Sequence, residues 1–318
     1  MTTLDARELI DFLSRRRFLA GSAALIATPL LPTSAFALLE KRHSFTQGDF
    51  EITVMSDGDL RLPMNVLAPD ATPEQLSEIA KEMGWAEMAQ PATNIPLIKA
   101  GDDLVLVDNG SGGKFQPDTT GQLAQNLANA GIDPASITKV VFTHAHPDHV
   151  WGTLGDGDAL AFPNAAYFVG AAEWDFWMNP EIFNQLPEEM HGFAKGAQRD
   201  LAAVEGRVTM VRAGDEIVSG ISVLETPGHT PGHISLEVAG GDGLIITGDV
   251  TPNEIVSIEH PDWKFGFDAI PDLAIQTRQA LVDRAATDKI KLLGYHFSYP
   301  GVGMVEKDGA GHRFVAAM

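Results

Sequence analysis

The apolar run Lys139 to Thr143 opens directly into His144-Ala145-His146-Pro147-Asp148-His149, and this junction constrains the fold more than any other stretch of the chain. A short run of this kind reads as a buried strand. In an extended segment, residues two apart point the same way, so His144 and His146 can close on one cation. Asp148 and His149 come after Pro147 and can turn toward a second position. The geometry suits two neighbouring metals.

Four more apolar runs read as buried strands: Leu104 to Val107, Ile221 to Thr226, Leu244 to Thr247 and Ile290 to Leu293. They lead into Asp108-Asn109-Gly110, Pro227-Gly228-His229, Gly248-Asp249 and Gly294-Tyr295-His296. If these strands run the same way in a sheet, their C-terminal ends form one edge, where open α/β sheets place their sites. His229, Asp249 and His296 bring the candidate ligands to seven. One zinc uses about three or four, so seven suit two ions. The assignment gives His144, His146 and His229 to a first metal, Asp148, His149 and His296 to a second, and makes Asp249 a carboxylate bridging both. His233, also preceded by Pro-Gly, competes with His229 and is read as a support behind the ligands. His43, His191, His260 and His312 have no supporting pattern and read as surface residues.

The chain has no cysteine, which excludes disulfides, thiolate metal sites, iron–sulfur clusters and cysteine nucleophiles together. Any metal must be held by His, Asp or Glu. With 43 acidic against 22 basic residues and a formal net charge of −21, the chain lacks the basic face that nucleic acid requires. At 44% hydrophobic and 20% charged residues, the composition is that of an ordinary soluble globular protein. Neither a Gly-x-Ser-x-Gly elbow nor a Walker-type loop is present, since Lys114 is followed by Phe115.

From about residue 45, short β-rich runs alternate with helical patterns, which predicts a mixed α/β architecture. Thr72-Pro73-Glu74-Gln75 places an N-cap, a first-turn proline and a capping-box glutamine in order, so a helix should run to about Met83. A second is predicted from Thr120 to Ala130, stopped by Gly131. At the N-terminus, Ser14-Arg15-Arg16-Arg17-Phe18-Leu19 leads an uncharged stretch ending in Ala35-Phe36-Ala37. This reads as a twin-arginine signal peptide, residues 1–37, cut after Ala37, with residues 38–318 as the catalytic domain in the periplasm or secreted. A retained membrane anchor is the alternative, but Pro29 and Pro32 interrupt the stretch.

Thr143 to His149, with Gly228-His229, Gly248-Asp249 and His296 in order, resembles the metallo-β-lactamase superfamily. The resemblance implies a four-layer αββα sandwich with two facing mixed sheets and a dinuclear site at one edge. It makes Asp108 a partner that orients a ligand histidine. His146 stands where flavodiiron-type members carry glutamate, and the missing cysteine separates the chain from class B1 and B2 β-lactamases. Asp249 points toward lactonases, phosphotriesterases and glyoxalase II-like hydrolases. Gly48 to Thr53, Ser56-Asp57-Gly58, Asp175-Phe176-Trp177, Gly192 to Ala197 and Ser298-Tyr299-Pro300-Gly301 further resemble the methyl parathion hydrolase-like group. That resemblance places Phe115, Trp177 and Phe193 around a pocket for an apolar leaving group, which Trp151 narrows.

Motifs and resemblance together predict a hydrolase with two Zn2+ per chain, Mn2+, Fe2+ or Co2+ also being compatible. A hydroxide shared by the ions attacks a neutral phosphotriester, lactone or ester, Asp148 takes or relays the proton, and Asp249 bridges. An N-acyl-homoserine lactonase is the nearest alternative, then a class B3-like β-lactamase and a non-catalytic zinc-binding protein. No nucleic-acid partner or stable membrane insertion after signal cleavage is expected. The resemblance also implies a homodimer packed through residues 38–100.

Overall fold

Val140, Val141 and Phe142 are all fully buried, so the strand that ends in the histidine motif meets protein on both faces. Their neighbours alternate: Val141 packs with Val223, Leu236 and Ile246, whereas Val140 and Phe142 pack with Leu127 and Leu201. The computed structural model, which describes residues 42–309 and 311–317, explains this by two facing sheets. The candidate export segment, residues 1–37, lies outside the described residues.

The first sheet has strand order β1 (Arg42–Gln47), β2 (Phe50–Asp59), β3 (Ala92–Ala100), β4 (Asp103–Val107), β5 (Lys139–Phe142), β6 (Ala166–Gly170) and β7 (Val208–Val211). Strands β1 to β4 are antiparallel and β4 to β7 parallel. The second holds β8 (Glu216–Val218), β9 (Ile221–Glu225), β10 (Ile234–Val238), β11 (Leu244–Gly248), β12 (Lys291–Gly294), β13 (Val302–Asp308) and β14 (Gly311–Ala316). Only β11 and β12 pair in parallel there. The helices are α1 (Met64–Leu67), α2 (Pro73–Glu82), α3 (Leu123–Asn129), α4 (Pro147–Val150), α5 (Ala171–Trp177), α6 (Ile182–Gln185), α7 (His191–Val204), α8 (Glu254–Ile258) and α9 (Pro271–Asp288).

Helices α3, α5 and α7 cover the outer face of the first sheet, and Leu281, Val282 and Ala285 of α9 cover the second through Ile245 and Leu292. The result is the αββα sandwich. The five strands that lead into site residues do not share one sheet: β4, which leads to Asp108, and β5 lie in the first, and β9, β11 and β12 in the second. Within each sheet they nevertheless run the same way, so their C-terminal ends meet across the gap.

Helix α2 begins on the predicted capping box, with Gln75 N donating to Thr72 Oγ1 and Thr72 N donating to Gln75 Oε1. Helix α3 starts at Leu123, three residues later than the apolar pattern predicted. The reason is Asp57, which accepts from Gly121 N at 3.1 Å and Leu123 N at 2.8 Å and so takes the donors of an earlier first turn.

Candidate metal centre and active site

Thr143 leaves β5 because its N–H donates to Asp108 Oδ1 at 2.8 Å instead of continuing the ladder. The chain stays loop-like through His144 and His146, whose rings lie 4.6 Å apart, then enters α4 at Pro147. That helical turn carries Asp148 and His149 to the other side of the cleft. His229 comes from the loop after β9, Asp249 from the end of β11 and His296 from the end of β12.

All seven side chains are buried, and three groups of their ligand atoms each lie within 4.8 Å of one another: His144, His146 and His229; His144, His149 and Asp249; Asp148, His149 and His296. His229 Nε2 is 2.9 Å from His146 Nδ1, and His296 Nε2 and His149 Nε2 are 3.3 and 3.4 Å from Asp148 Oδ2. Asp249 sits between the groups: its Oδ1 lies 3.3 Å from His149 Nε2, and its Oδ2 lies 3.3, 3.5 and 3.9 Å from Nε2 of His296, His229 and His144.

Most of the rings are oriented from behind. His149 Nδ1 donates to Asp108 Oδ2 at 2.8 Å, His229 Nδ1 to Asp268 Oδ1 at 3.1 Å, and His296 Nδ1 to the Ala92 carbonyl at 2.8 Å. Thr143 Oγ1 donates to Asp108, so it accepts from His144 Nδ1 at 3.1 Å. In each case the second nitrogen, Nε2, keeps its lone pair for the cleft, as metal-ligating histidines do. His144 Nε2, His149 Nε2, Asp148 Oδ2 and Asp249 Oδ1 are buried with no hydrogen-bond partner. Buried polar atoms are rarely left so, and four converging acceptors fit cations. The donor set therefore matches a dinuclear metal site.

Electrostatics agree. Burial and the neighbouring imidazoles hold His144 and His146 well below the ordinary histidine range, in the neutral form a ligand needs. Burial opposes charge on His296 and His149 too, but Asp249 and Asp148 outweigh it, raising His296 to about 10 and His149 well above 6.5. The carboxylates that favour a proton at those nitrogens would equally favour a metal ion.

His233 lies behind the ligands. Its Nε2 accepts from Asp249 N at 2.9 Å, its Nδ1 donates to Thr226 Oγ1 at 2.8 Å, and burial holds it near a pKa of about 3. Gly248, at φ +55°, keeps this contact open, since a Cβ there would stand 2.7 Å from His233 Nε2. Three further residues, Tyr295, Asp268 and Arg278, were given no role from the sequence. Tyr295 stacks on His149 and donates to the Asp148 carbonyl at 2.6 Å. Asp268 receives the buried Arg278 guanidinium at 2.9 Å. Burial opposes charge on Asp268, but the His229 contact and Arg278 outweigh it and keep the carboxyl below the usual range. Asp268 and Arg278 close none of the apolar runs, and Tyr295, although it follows one, is not a ligand-type side chain.

The cleft above the candidate ligands is tight, with a cavity volume of about 30 Å³. Its floor is His146, Asp148, His229, Asp249 and His296, and its walls are Leu60, Leu62, Phe115, Phe193, Phe265 and Phe267. Phe115 and Phe193 thus lie on the wall. Trp151 is not among the lining residues; it packs edge-on to Phe115 and Phe193 at 6.0 and 6.4 Å. Trp177 is also absent from this wall. It is 1% exposed, sits behind His146 and lines an adjacent cavity of about 230 Å³. Phe265 and Phe267 reach the cleft on a loop pinned to the His229 segment, Ala269 N and Ile270 N donating to the carbonyls of His229 and Gly228. His43, His191, His260 and His312 stay outside the site, partly exposed.

Comparison with known proteins agrees with this architecture. Metallo-beta-lactamase domain-containing protein 1 of Xenopus laevis is 31% identical over 189 residues, 59% of this chain and 66% of that protein. N-acyl homoserine lactonase AttM of Agrobacterium fabrum is 32% identical over 117 residues, 34% of this chain and 38% of that protein. The chain thus spans less than two thirds of either curated relative. The solved structure of AidC, a dizinc quorum-quenching lactonase in complex with a product, superposes with a TM-score of 0.81 at 28% identity, covering 87% of this chain and 97% of that one. The family profile described as the metallo-beta-lactamase superfamily matches residues 90–293. With well over half of its length inside that match, the chain belongs to the metallo-β-lactamase superfamily.

Proposed function

We propose that this superfamily hydrolase uses two divalent ions, zinc being the best match to the His/Asp donors, to open neutral lactones and esters bearing an apolar substituent. The observation that carries the reading is the cleft: seven convergent ligand groups form and back its floor, and six apolar side chains form its walls with no Lys or Arg among them. Such walls desolvate a neutral substrate and offer no counter-charge to an anion. The lactonase names of AttM and AidC support the same substrate class.

Bound between these groups, two divalent ions would acidify water and polarise the substrate's carbonyl oxygen. The chain's own contributions are separable. His144, His146 and His229 would hold one ion and Asp148, His149 and His296 the other, with Asp249 placed between the two groups. Asp148 lines the cleft, so it is assigned to take the attacking water's proton and pass it to the leaving oxygen while remaining in the ligand group. Phe115, Phe193, Phe265 and Phe267 exclude bulk water and seat the apolar substituent.

A phosphotriester is the second reading. Phe193 meets Phe115 edge-on at 5.7 Å and Phe267 at 6.2 Å, a box suited to an aryl leaving group. A panel of acyl-homoserine lactones, aryl esters, paraoxon-like triesters and nitrocefin, assayed on zinc-loaded protein, tests these readings. The highest kcat/KM is expected for a lactone. A triester in first place would overturn that choice for the second reading, and no turnover of any would overturn the hydrolytic assignment. We also propose export through the twin-arginine segment, and replacing Arg15 and Arg16 by Lys should then retain the chain in the cytoplasm on fractionation.

A further inference from the structure

Glu173 on α5 is fully buried, and its carboxylate is met by four donors. Ala145 N at 2.9 Å and Trp177 Nε1 at 2.6 Å donate to Oε1; Thr230 Oγ1 at 2.6 Å and Gly232 N at 3.1 Å donate to Oε2. The two oxygens are divided between two loops. Ala145 lies between His144 and His146 on the loop after β5 of the first sheet. Thr230 comes directly after His229 on the loop after β9 of the second, and Gly232 lies two residues further on. At Gly232 a Cβ would come within 1.9 Å of Glu173 N, so that position admits the approach of α5 only without a side chain.

We infer that Glu173 is a positioning residue that sets the spacing of His144, His146 and His229 by clipping their two loops together across the sheets. The inference rests on the dinuclear metal reading. It is specific to one ion, because the other group is held by different partners: Asp108 behind His149, Tyr295 on the Asp148 carbonyl, and the Ala92 carbonyl on His296. None of the bonds that Glu173 makes reaches those three. A glutamine at this position keeps one acceptor oxygen and turns an NH2 toward the donors of the other loop, so one half of the clip opens.

The test is zinc binding by the full chain, measured by chelator competition, with cobalt(II) absorption as the second readout. Wild-type protein should bind two ions. Glu173→Gln should bind one with wild-type affinity and the other about 10–100-fold more weakly. Its spectrum at one equivalent of cobalt should match that of His229→Ala. Thr230→Val removes one donor with little change of shape and should weaken the same ion by a smaller factor, which keeps the inference testable if Glu173→Gln does not fold. Equal weakening of both ions in Glu173→Gln, unchanged affinity in Glu173→Gln, or unchanged affinity in Thr230→Val would overturn the positioning role. Fewer than two ions on the wild-type chain would overturn the dinuclear reading itself, and the inference with it.

Discussion

Asp57 and Asp249 are both buried carboxylates, and their surroundings give them opposite work. Asp249 faces histidine nitrogens, and its Oδ1 has no hydrogen-bond partner. If it spans two ions, Asp249→Ala should lower kcat/KM by about 100-fold or more with the fold intact by circular dichroism, and full activity would refute the bridging role. Asp57 faces backbone donors, accepting from Ser111 N, Gly121 N and Leu123 N at 2.9, 3.1 and 2.8 Å. Asp57→Asn turns an amide NH2 toward one of those donors and should cost about 1–3 kcal/mol in urea unfolding. Burial raises the Asp57 carboxyl above 3.8 despite those donors, so the fold binds its proton more tightly than the unfolded chain does. That contribution is full below pH 3.8 and is lost as pH rises through the folded pKa. The stability gap between wild type and Asp57→Asn should therefore narrow from pH 4 toward neutrality. The candidate ligand residues were legible because each follows an apolar run. Asp57, Glu173, Asp268 and Tyr295 were not assigned these roles, because a supporting side chain is defined by what folds against it.

At the scale of elements, β5, β11 and β12 were readable because burial on both faces makes them nearly continuous apolar runs, whereas β9 alternates buried and half-buried positions. Strand β3 was not. It lies between β2 and β4 but carries Asn94 and Pro96, and Asn94 is buried only because its Nδ2 reaches the carbonyls of Gly294 and Phe297. The start of α3 was misplaced because Asp57, more than sixty residues upstream, captures its first donors. Helix α2 needed no tertiary help, since its cap is local. Thr72 is exposed and its capping box closes within four residues. Thr72→Ala should accordingly cost about 1 kcal/mol, read as a lower melting temperature with unchanged zinc stoichiometry.

Over the whole molecule, the excess of acid enters as a field. A chain of net charge −21 should repel anionic substrates at low ionic strength and leave neutral ones unaffected. Raising salt from about 10 to about 200 mM shortens the screening length to below about 10 Å. The kcat/KM of an anionic lactam such as nitrocefin, where measurable, should rise over that range, while that of a neutral lactone stays level. A lactone that responded as strongly would place charge inside the cleft, against its apolar lining. The amino-acid sequence by itself determined the candidate ligand types, their order and their places at strand ends, because short-range spacing and apolar runs are written along the chain. It also determined the α/β alternation and the absence of thiol chemistry. Only the tertiary structure decided that the ligand strands divide between two sheets, that Phe265 and Phe267 wall the cleft while Trp151 and Trp177 stand behind its wall and floor, and that Glu173 joins the two histidine loops. Those are contacts between segments tens to more than a hundred residues apart, and which distant groups meet is settled by how the sheets face each other.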